Sequence, residues 1–299
     1  MAQLGALLGV AYDLQAGNRF EASCSTIATR PMMRYIPTIV TGLPMRQVPR
    51  ISWRLLLNGL GLRKSQKVFA VGFAKCATTS LHALFLSLGL PSFHGIAWRS
   101  CNSLRLLRTF DCFSDGIPKD LAKLDRLFPG SKFVLQVRDL QSWVYSQLGH
   151  IERNKKRGKH RALPDWDTTD FSVRSWILMR NRHHLFVQEY FADRLDDLLI
   201  VNFVSDPSAG TRVANFLGFP GNFDRPVENV NPDKQVPASH AEMLSRVSTE
   251  LGIPAHELKY DIYCPSLLES GSRARFPVDS RAQSELQKHS AQPDTPAVA

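Results

Sequence analysis

Lys67-Val68-Phe69-Ala70-Val71-Gly72-Phe73-Ala74-Lys75-Cys76-Ala77-Thr78-Thr79-Ser80 decides how the rest of this chain is read. Val68 to Val71 is a short apolar run of the kind that forms a strand buried on both faces, and Gly72 ends it. After it, Leu81, Leu84, Phe85 and Leu88 recur at helical spacing up to a stop at Gly89. Thr78, Thr79 and Ser80 stand where capping hydroxyls are expected. A strand, a tight turn and a helix start gather backbone N–H groups at the positive end of a helix dipole, and Lys75 adds a charge. Such a turn is shaped to hold an oxyanion. The competing reading is an ordinary βα turn with polar caps.

The Walker phosphate loop has the same layout but requires G-x-x-x-x-G-K-[ST]. Here Ala77 takes the second glycine's place, no lysine follows it, and the lysine stands earlier, at Lys75. A nucleotide kinase using ATP and magnesium is therefore the weaker reading. Ala74-Lys75-Cys76-Ala77-Thr78-Thr79-Ser80 instead resembles the 5′-phosphosulfate loop of the PAPS-dependent sulfotransferases, P-K-[ST]-G-T-[TS]-[SW]. Lys75, Thr78, Thr79 and Ser80 match; Ala74 replaces the proline, and Cys76-Ala77 the usual Thr-Gly. The resemblance implies PAPS as co-substrate and PAP as product. It assigns Lys75, Ala77, Thr78, Thr79 and Ser80 to the nucleotide and gives Lys75 a catalytic share.

A second segment points the same way. Phe133 to Val137 is the clearest strand in the chain, and Arg138-Asp139 leaves its carboxyl end. Ser142 and Ser146 lie four apart on the helix that follows, hence on one face beginning near Arg138. A guanidinium fork beside hydroxyls makes another oxyanion site, although an Arg–Asp surface turn is common by itself. The segment resembles the family's 3′-phosphate motif, which implies Arg138 and Ser146 as nucleotide-binding residues. Between the two lies Phe113-Ser114-Asp115-Gly116-Ile117-Pro118, similar to the strand end that carries the family's general base. That puts Asp115 in the catalytic role; a helix-cap or turn aspartate is the competing reading. His94 is the rival base, set against an ordinary buried histidine. Leu198 to Asn202 and Phe216-Leu217-Gly218-Phe219-Pro220 also look like the family. The resemblance runs from Lys67 to Pro220 and covers neither terminus.

The order of elements agrees. Strands near 68–71, 91–96, 110–113, 133–137 and 198–202 alternate with helical patterns at 81–88, 101–108, 119–128, 140–152, 171–194, 208–217 and 238–251. This rhythm predicts an α/β fold, a parallel sheet with helices on both faces and ligands at the strands' carboxyl ends. The resemblance makes it the P-loop-like sulfotransferase fold. The domain reading is an N-terminal extension over 1–64, partly disordered, with one short helix around Trp53 to Leu62. A main domain over 65–264 and a disordered polar tail over 265–299 complete it.

The formal charge is +10 and the pI about 9.6, a balance that favours anionic partners without choosing among nucleotides, acidic glycans, nucleic acid and membrane surfaces. Five scattered cysteines without a C-x-x-C pair argue against a disulfide framework and a zinc site. The apolar stretch from Leu4 to Ala11 is too short to span a bilayer, so a cytoplasmic protein without an integral membrane segment is expected. His183 and His184 are neighbours on a helix and face different ways, which speaks against a metal pair. Asp165, Asp167 and Asp170 read as helix caps. Arg153 to Arg161 reads as a solvated basic loop, or as a lid over an anionic acceptor or the nucleotide. It lacks interleaved aromatics, so no nucleic-acid partner is expected. The resulting expectation is transfer of a sulfuryl group to a hydroxyl or amine of a small-molecule or glycan acceptor. A non-catalytic nucleotide- or glycan-binding module is the other alternative. The acceptor and oligomeric state stay open.

Overall fold

The computed structural model describes residues 47–159, 166–228 and 235–268. Expectations for residues 1–46, for 160–161 of the basic stretch, for Asp165 and for the tail from 269 lie outside the described residues. Within them the elements are α1 Val48–Gly59, β1 Val68–Ala70, α2 Thr78–Ser87, β2 Ser92–His94, α3 Leu104–Thr109, β3 Cys112–Ser114, α4 Leu121–Leu127, β4 Lys132–Gln136 and α5 Leu140–Lys156. Then come α6 Asp170–Tyr190, β5 Leu198–Val201, α7 Ala209–Phe216 and α8 Ala238–Glu250.

The five strands form one sheet in the order β2-β3-β1-β4-β5, and every neighbouring pair is parallel. Side chains alternate across it as strand geometry requires. Phe69, Phe113, Phe133 and Leu135 face one layer, where they meet Ile51 and Leu55 of α1, Val187 of α6 and Phe191 just beyond it. Val68, Ala70, Cys112, Val134 and Val201 face the other, against Leu81, Leu84 and Phe85 of α2 and Val213 of α7. Both faces are covered, which explains why the strands read as continuous apolar runs. A third cluster joins α5, α6 and α8 through Trp143, Leu148, Trp176, Ile177 and Leu244, and Phe73 and Cys76 of the turn after β1 plug into it.

The connection from β1 runs to β2 on one side of the sheet, and that from β4 runs to β5 on the other. Between the carboxyl ends of β1 and β4 the chain therefore diverges and leaves a crevice, the place where open α/β sheets bind ligands. Two local expectations change. The basic stretch begins as helix, because α5 continues to Lys156 and places Arg153, Lys155 and Lys156 in its last turn. Lysine and arginine are good helix formers, and their charge suits the dipole's negative end. The helix predicted from Cys101 starts only at Leu104, with Ser103 as its cap, and a 3₁₀ turn over Ile96–Ser100 precedes it.

Candidate active site

The turn after β1 is built against its neighbours rather than hung in solvent. Gly72 N–H donates to Gln136 Oε1 at 2.8 Å, and a Cβ on Gly72 would lie 2.3 Å from the Gln136 carbonyl oxygen. Only glycine fits there. The Ala74 carbonyl accepts from Trp143 Nε1 at 3.0 Å and Gln147 Nε2 at 3.4 Å, which fixes the turn to α5. Lys75 and Ala77 then adopt left-handed backbone, with φ of +72° and +60°, a conformation that costs an L residue with a Cβ. Ala77 is the residue before α2 and has no side chain to cap it. Thr78, Thr79 and Ser80 fall inside the first helical turn rather than ahead of it, so they are not the predicted caps. The first-turn N–H groups of α2 thus have no side-chain cap.

Those three hydroxyls are not equivalent. Thr78 is buried. Thr79 Oγ1 lies 3.5 Å from His94 Nε2. Ser80 Oγ accepts from the Glu228 N–H at 3.0 Å, which ties α2 to a distant segment.

Lys75 is largely buried, and among the described residues its ammonium has no hydrogen-bond or ion-pair partner. Burial foremost, and then the charge of Arg153, lowers its pKa to about 8, while Asp115 acts in the opposite direction. With α5 pinned to Ala74 by Trp143 and Gln147, the following turns bring His150 and Arg153 within the field of Lys75. His150 pairs through Nε2 with Asn154 Nδ2 at 3.1 Å. Its pKa falls to about 4, through burial and then the charges of Lys75 and Arg153.

Asp115 stands just past the carboxyl end of β3 at φ +87°, followed by Gly116 at +98°. It does not cap the next helix. Asp120 does, accepting from Lys123 N–H at 2.8 Å. Among the described residues the Asp115 carboxylate has no hydrogen-bond or ion-pair partner, although its charge acts on Lys75, His94 and Arg99. His94 is held at both ring nitrogens, Nδ1 to Ser114 Oγ at 2.9 Å and Nε2 to Thr79. Burial lowers its pKa, with Asp115 opposing and Lys75 assisting.

Arg138 emerges from β4 as expected, but its guanidinium reaches back to the turn, where Nη1 donates to the Lys75 carbonyl at 3.1 Å. Among the described residues no hydrogen bond joins Arg138 to Ser142 or Ser146. Arg138 Nε is buried without a partner there. The Ser142 N–H is used by Asp139, the cap of α5, at 2.8 Å. Behind Arg138 stands a residue that the sequence reading missed. Arg180, 1% exposed, donates through Nη2 to the carbonyls of Arg138 at 2.9 Å and Tyr260 at 3.0 Å.

The structure thus brings Lys75, Ala77, Thr78, Thr79, His94, Asp115 and Arg138 to one carboxyl edge. Ser80 lies beside them but is engaged elsewhere, with the Glu228 N–H, and Ser146 lies on α5, with no hydrogen bond to any of them among the described residues. Gln136, Gln147, His150 and Arg180 were the missed contributors. Only His150 had a sequence signal, its place four residues after Ser146 on the same helical face. His183 and His184 bond separately to the carbonyls of Val71 and Ile262. Burial raises the Cys76 thiol to about 12, so it stays protonated and is no nucleophile.

No protein-family profile and no curated protein matches this chain. Among solved structures it is similar to a sulfotransferase from Alicyclobacillus acidocaldarius, at 14% identity and a TM-score of 0.39, over 65% of this chain and 99% of that one. It is also similar to mouse sulfotransferase SULT7A1 complexed with PAP, at 13% identity and a TM-score of 0.37, over 81% of this chain and 90% of that one.

Proposed function

We propose that the chain is a PAPS-dependent sulfotransferase that moves a sulfuryl group to a hydroxyl or amine of a small-molecule or carbohydrate acceptor. One observation carries the reading. A half-buried ammonium without a partner among the described residues, Lys75, sits on an oxyanion-shaped turn at the sheet's switch point, within the field of an equally unpartnered carboxylate, Asp115. Charges largely withdrawn from water are normally paired, so two opposite ones left without partners among the described residues have the character of a reaction site rather than of structure.

In this reading the acceptor oxygen attacks sulfur in line, forming one S–O bond as the bond to the 5′-phosphate breaks. Asp115 takes the acceptor's proton, and the phosphate leaves with the electron pair. Lys75 and the uncapped N–H groups of α2 stabilise the charge on that leaving group. His94, held between Ser114 and Thr79, orients the loop hydroxyl and is the second choice as base. Arg138 fixes the Lys75 backbone and offers its remaining donors to the 3′-phosphate. Ser146 stands on the facing helix for the same group. Ser80 still has its own proton to donate.

The test is a thermal-shift panel with PAP, PAPS, ATP–magnesium and NAD. Ligand binding only the folded form at a hundredfold excess over Kd stabilises by about 2.7 kcal/mol. Selective stabilisation by PAP and PAPS is expected. An equal or larger shift with ATP–magnesium would transfer the assignment to a nucleotide kinase. PAP binding without turnover on any acceptor would leave a nucleotide-binding module.

A further inference from the structure

Helix α1 is apolar on two opposite faces. Ile51, Leu55 and Asn58 are buried against the domain. Trp53, Leu56 and Leu60, on the opposite side at helical spacing, are 61%, 50% and 63% exposed, and Leu62 just beyond is 72% exposed. A helix apolar all round is ordinarily enclosed, and here one side has no cover among the described residues. Leu104, at the start of the helix packed beside α1, is exposed as well.

Charge identifies the cover. Between Glu21 and Asp111 the sequence has no acidic residue but 12 lysines and arginines, whereas from Asp111 onward acids slightly outnumber bases. The whole net charge of the chain therefore lies in the part that carries α1. Arg50 and Lys64 flank the open face and are exposed. Arg54 and Arg63 are committed to the buried Asp111. An apolar stripe with tryptophan, rimmed by basic residues, has the chemistry of a surface that lies in the headgroup region of a membrane. Among the described residues no helix is long and apolar enough to cross one.

We infer that the open face of α1 docks the protein peripherally on an anionic lipid surface. Trp53, Leu56, Leu60 and Leu62 enter the headgroup boundary, with Arg50 and Lys64 against acidic headgroups. The orientation leaves the candidate site open. Asn58 bonds to Thr109 and Asp111 at the entry to β3, so α1 covers the amino end of the sheet, opposite the carboxyl edge that carries Lys75 and Asp115. The inference is independent of the reaction assigned to that edge.

The experiment is co-sedimentation of the full chain with phosphatidylserine-containing vesicles and with pure phosphatidylcholine vesicles. It compares wild type, Trp53→Ser/Leu56→Ser/Leu60→Ser and Arg50→Glu/Lys64→Glu, each checked for folding by circular dichroism, with single Trp53→Ser as the fallback. Wild type should prefer the anionic vesicles and lose binding as salt rises. The triple variant should bind at least about a hundredfold more weakly. The charge variant should lose the anionic preference. Absence of vesicle binding by wild type overturns the inference. So does anionic binding that persists in the triple variant, which would locate it in other basic residues. A wild-type dimer that the triple variant dissociates, with no lipid binding, would give the face to a second copy and overturn it too.

Discussion

Lys67 and Lys75 stand just before and just after the first strand; Lys67 is buried and Lys75 half-buried, and withdrawal from water lowers both pKa values to about 8. Their surroundings differ completely. At the amino end, Lys67 Nζ donates to the carbonyls of Arg108 and Phe110 at 2.9 and 2.6 Å. The neighbouring Asp111 is paired with Arg63 and hydrogen-bonded by Asn58. At the carboxyl end neither Lys75 nor Asp115 has such a partner among the described residues. Similar pKa depression with unequal compensation separates a charge that closes the fold from one that, under the proposed function, is kept for a ligand.

The largest effect that can break this contrast lies at Asp115. Under the proposed function, Asp115→Asn should lower turnover by roughly 10²–10⁴-fold and leave PAP affinity nearly unchanged. The amide keeps the volume but cannot accept the proton. Capping cannot explain a loss, because asparagine caps about as well as aspartate and the cap of α4 is Asp120. Near-normal turnover would remove Asp115 as base and pass the role to His94.

The lysine pair sharpens the contrast directly. Lys67→Met leaves two carbonyls without their donor and should destabilise by about 1–3 kcal/mol with PAP affinity unchanged in the folded protein. Lys75→Met removes a half-buried charge that lacks a partner among the described residues, so ligand-free stability should hold or rise. PAP affinity should fall by about 1.5–3 kcal/mol, the worth of a hydrogen bond to a charged group. Denaturant midpoints and PAP titrations of the two variants read both quantities. Matching behaviour of the two lysines would erase the distinction.

Arg138 tests how far the carboxyl edge is already committed to itself. Its bond to the Lys75 carbonyl means that Arg138→Ala should weaken every ligand of the turn. A 3′-phosphate contact adds a further loss of about 1.5–3 kcal/mol for PAP over adenosine 5′-phosphosulfate. Equal losses in calorimetric titration would make Arg138 a loop clamp alone.

What the sequence disclosed follows from what is local. Val68 to Val71 and Phe133 to Val137 announce strands because both sheet faces are buried, and the turn at 72–77 is legible because a strand and a helix must meet there. The helix start was misread because Thr78, Thr79 and Ser80 are all good caps, whereas the chain places Ala77 in the left-handed position and begins the helix one residue earlier. Arg153 to Lys156 read as loop because a charge run has no apolar period, yet its residues are strong helix formers. The Gln136–Gly72 and Arg138–Lys75 bonds join residues 64 and 63 positions apart, and Arg180 bonds across 42 to Arg138. Pairings so distant leave no periodic trace in one sequence.

The smallest expected effect concerns Ala77, where the sulfotransferase loop that this turn resembles usually has glycine. The backbone there has φ +60°, a conformation suited to glycine but occupied by alanine. Ala77→Gly relieves a left-handed strain of about 1–2 kcal/mol. Against this, glycine loses about 0.5–1 kcal/mol more on folding through the freedom of the unfolded chain. The Ala77 methyl also packs against the cluster around Leu81 and Val213, and its partial burial is worth less than about 0.8 kcal/mol. The terms nearly cancel, so the denaturation midpoint should correspond to a change within about 0.5 kcal/mol. A stabilisation well above that would mean that the turn carries uncompensated strain in the ligand-free protein. A comparable destabilisation would mean that the methyl, rather than the backbone, holds the turn to α2.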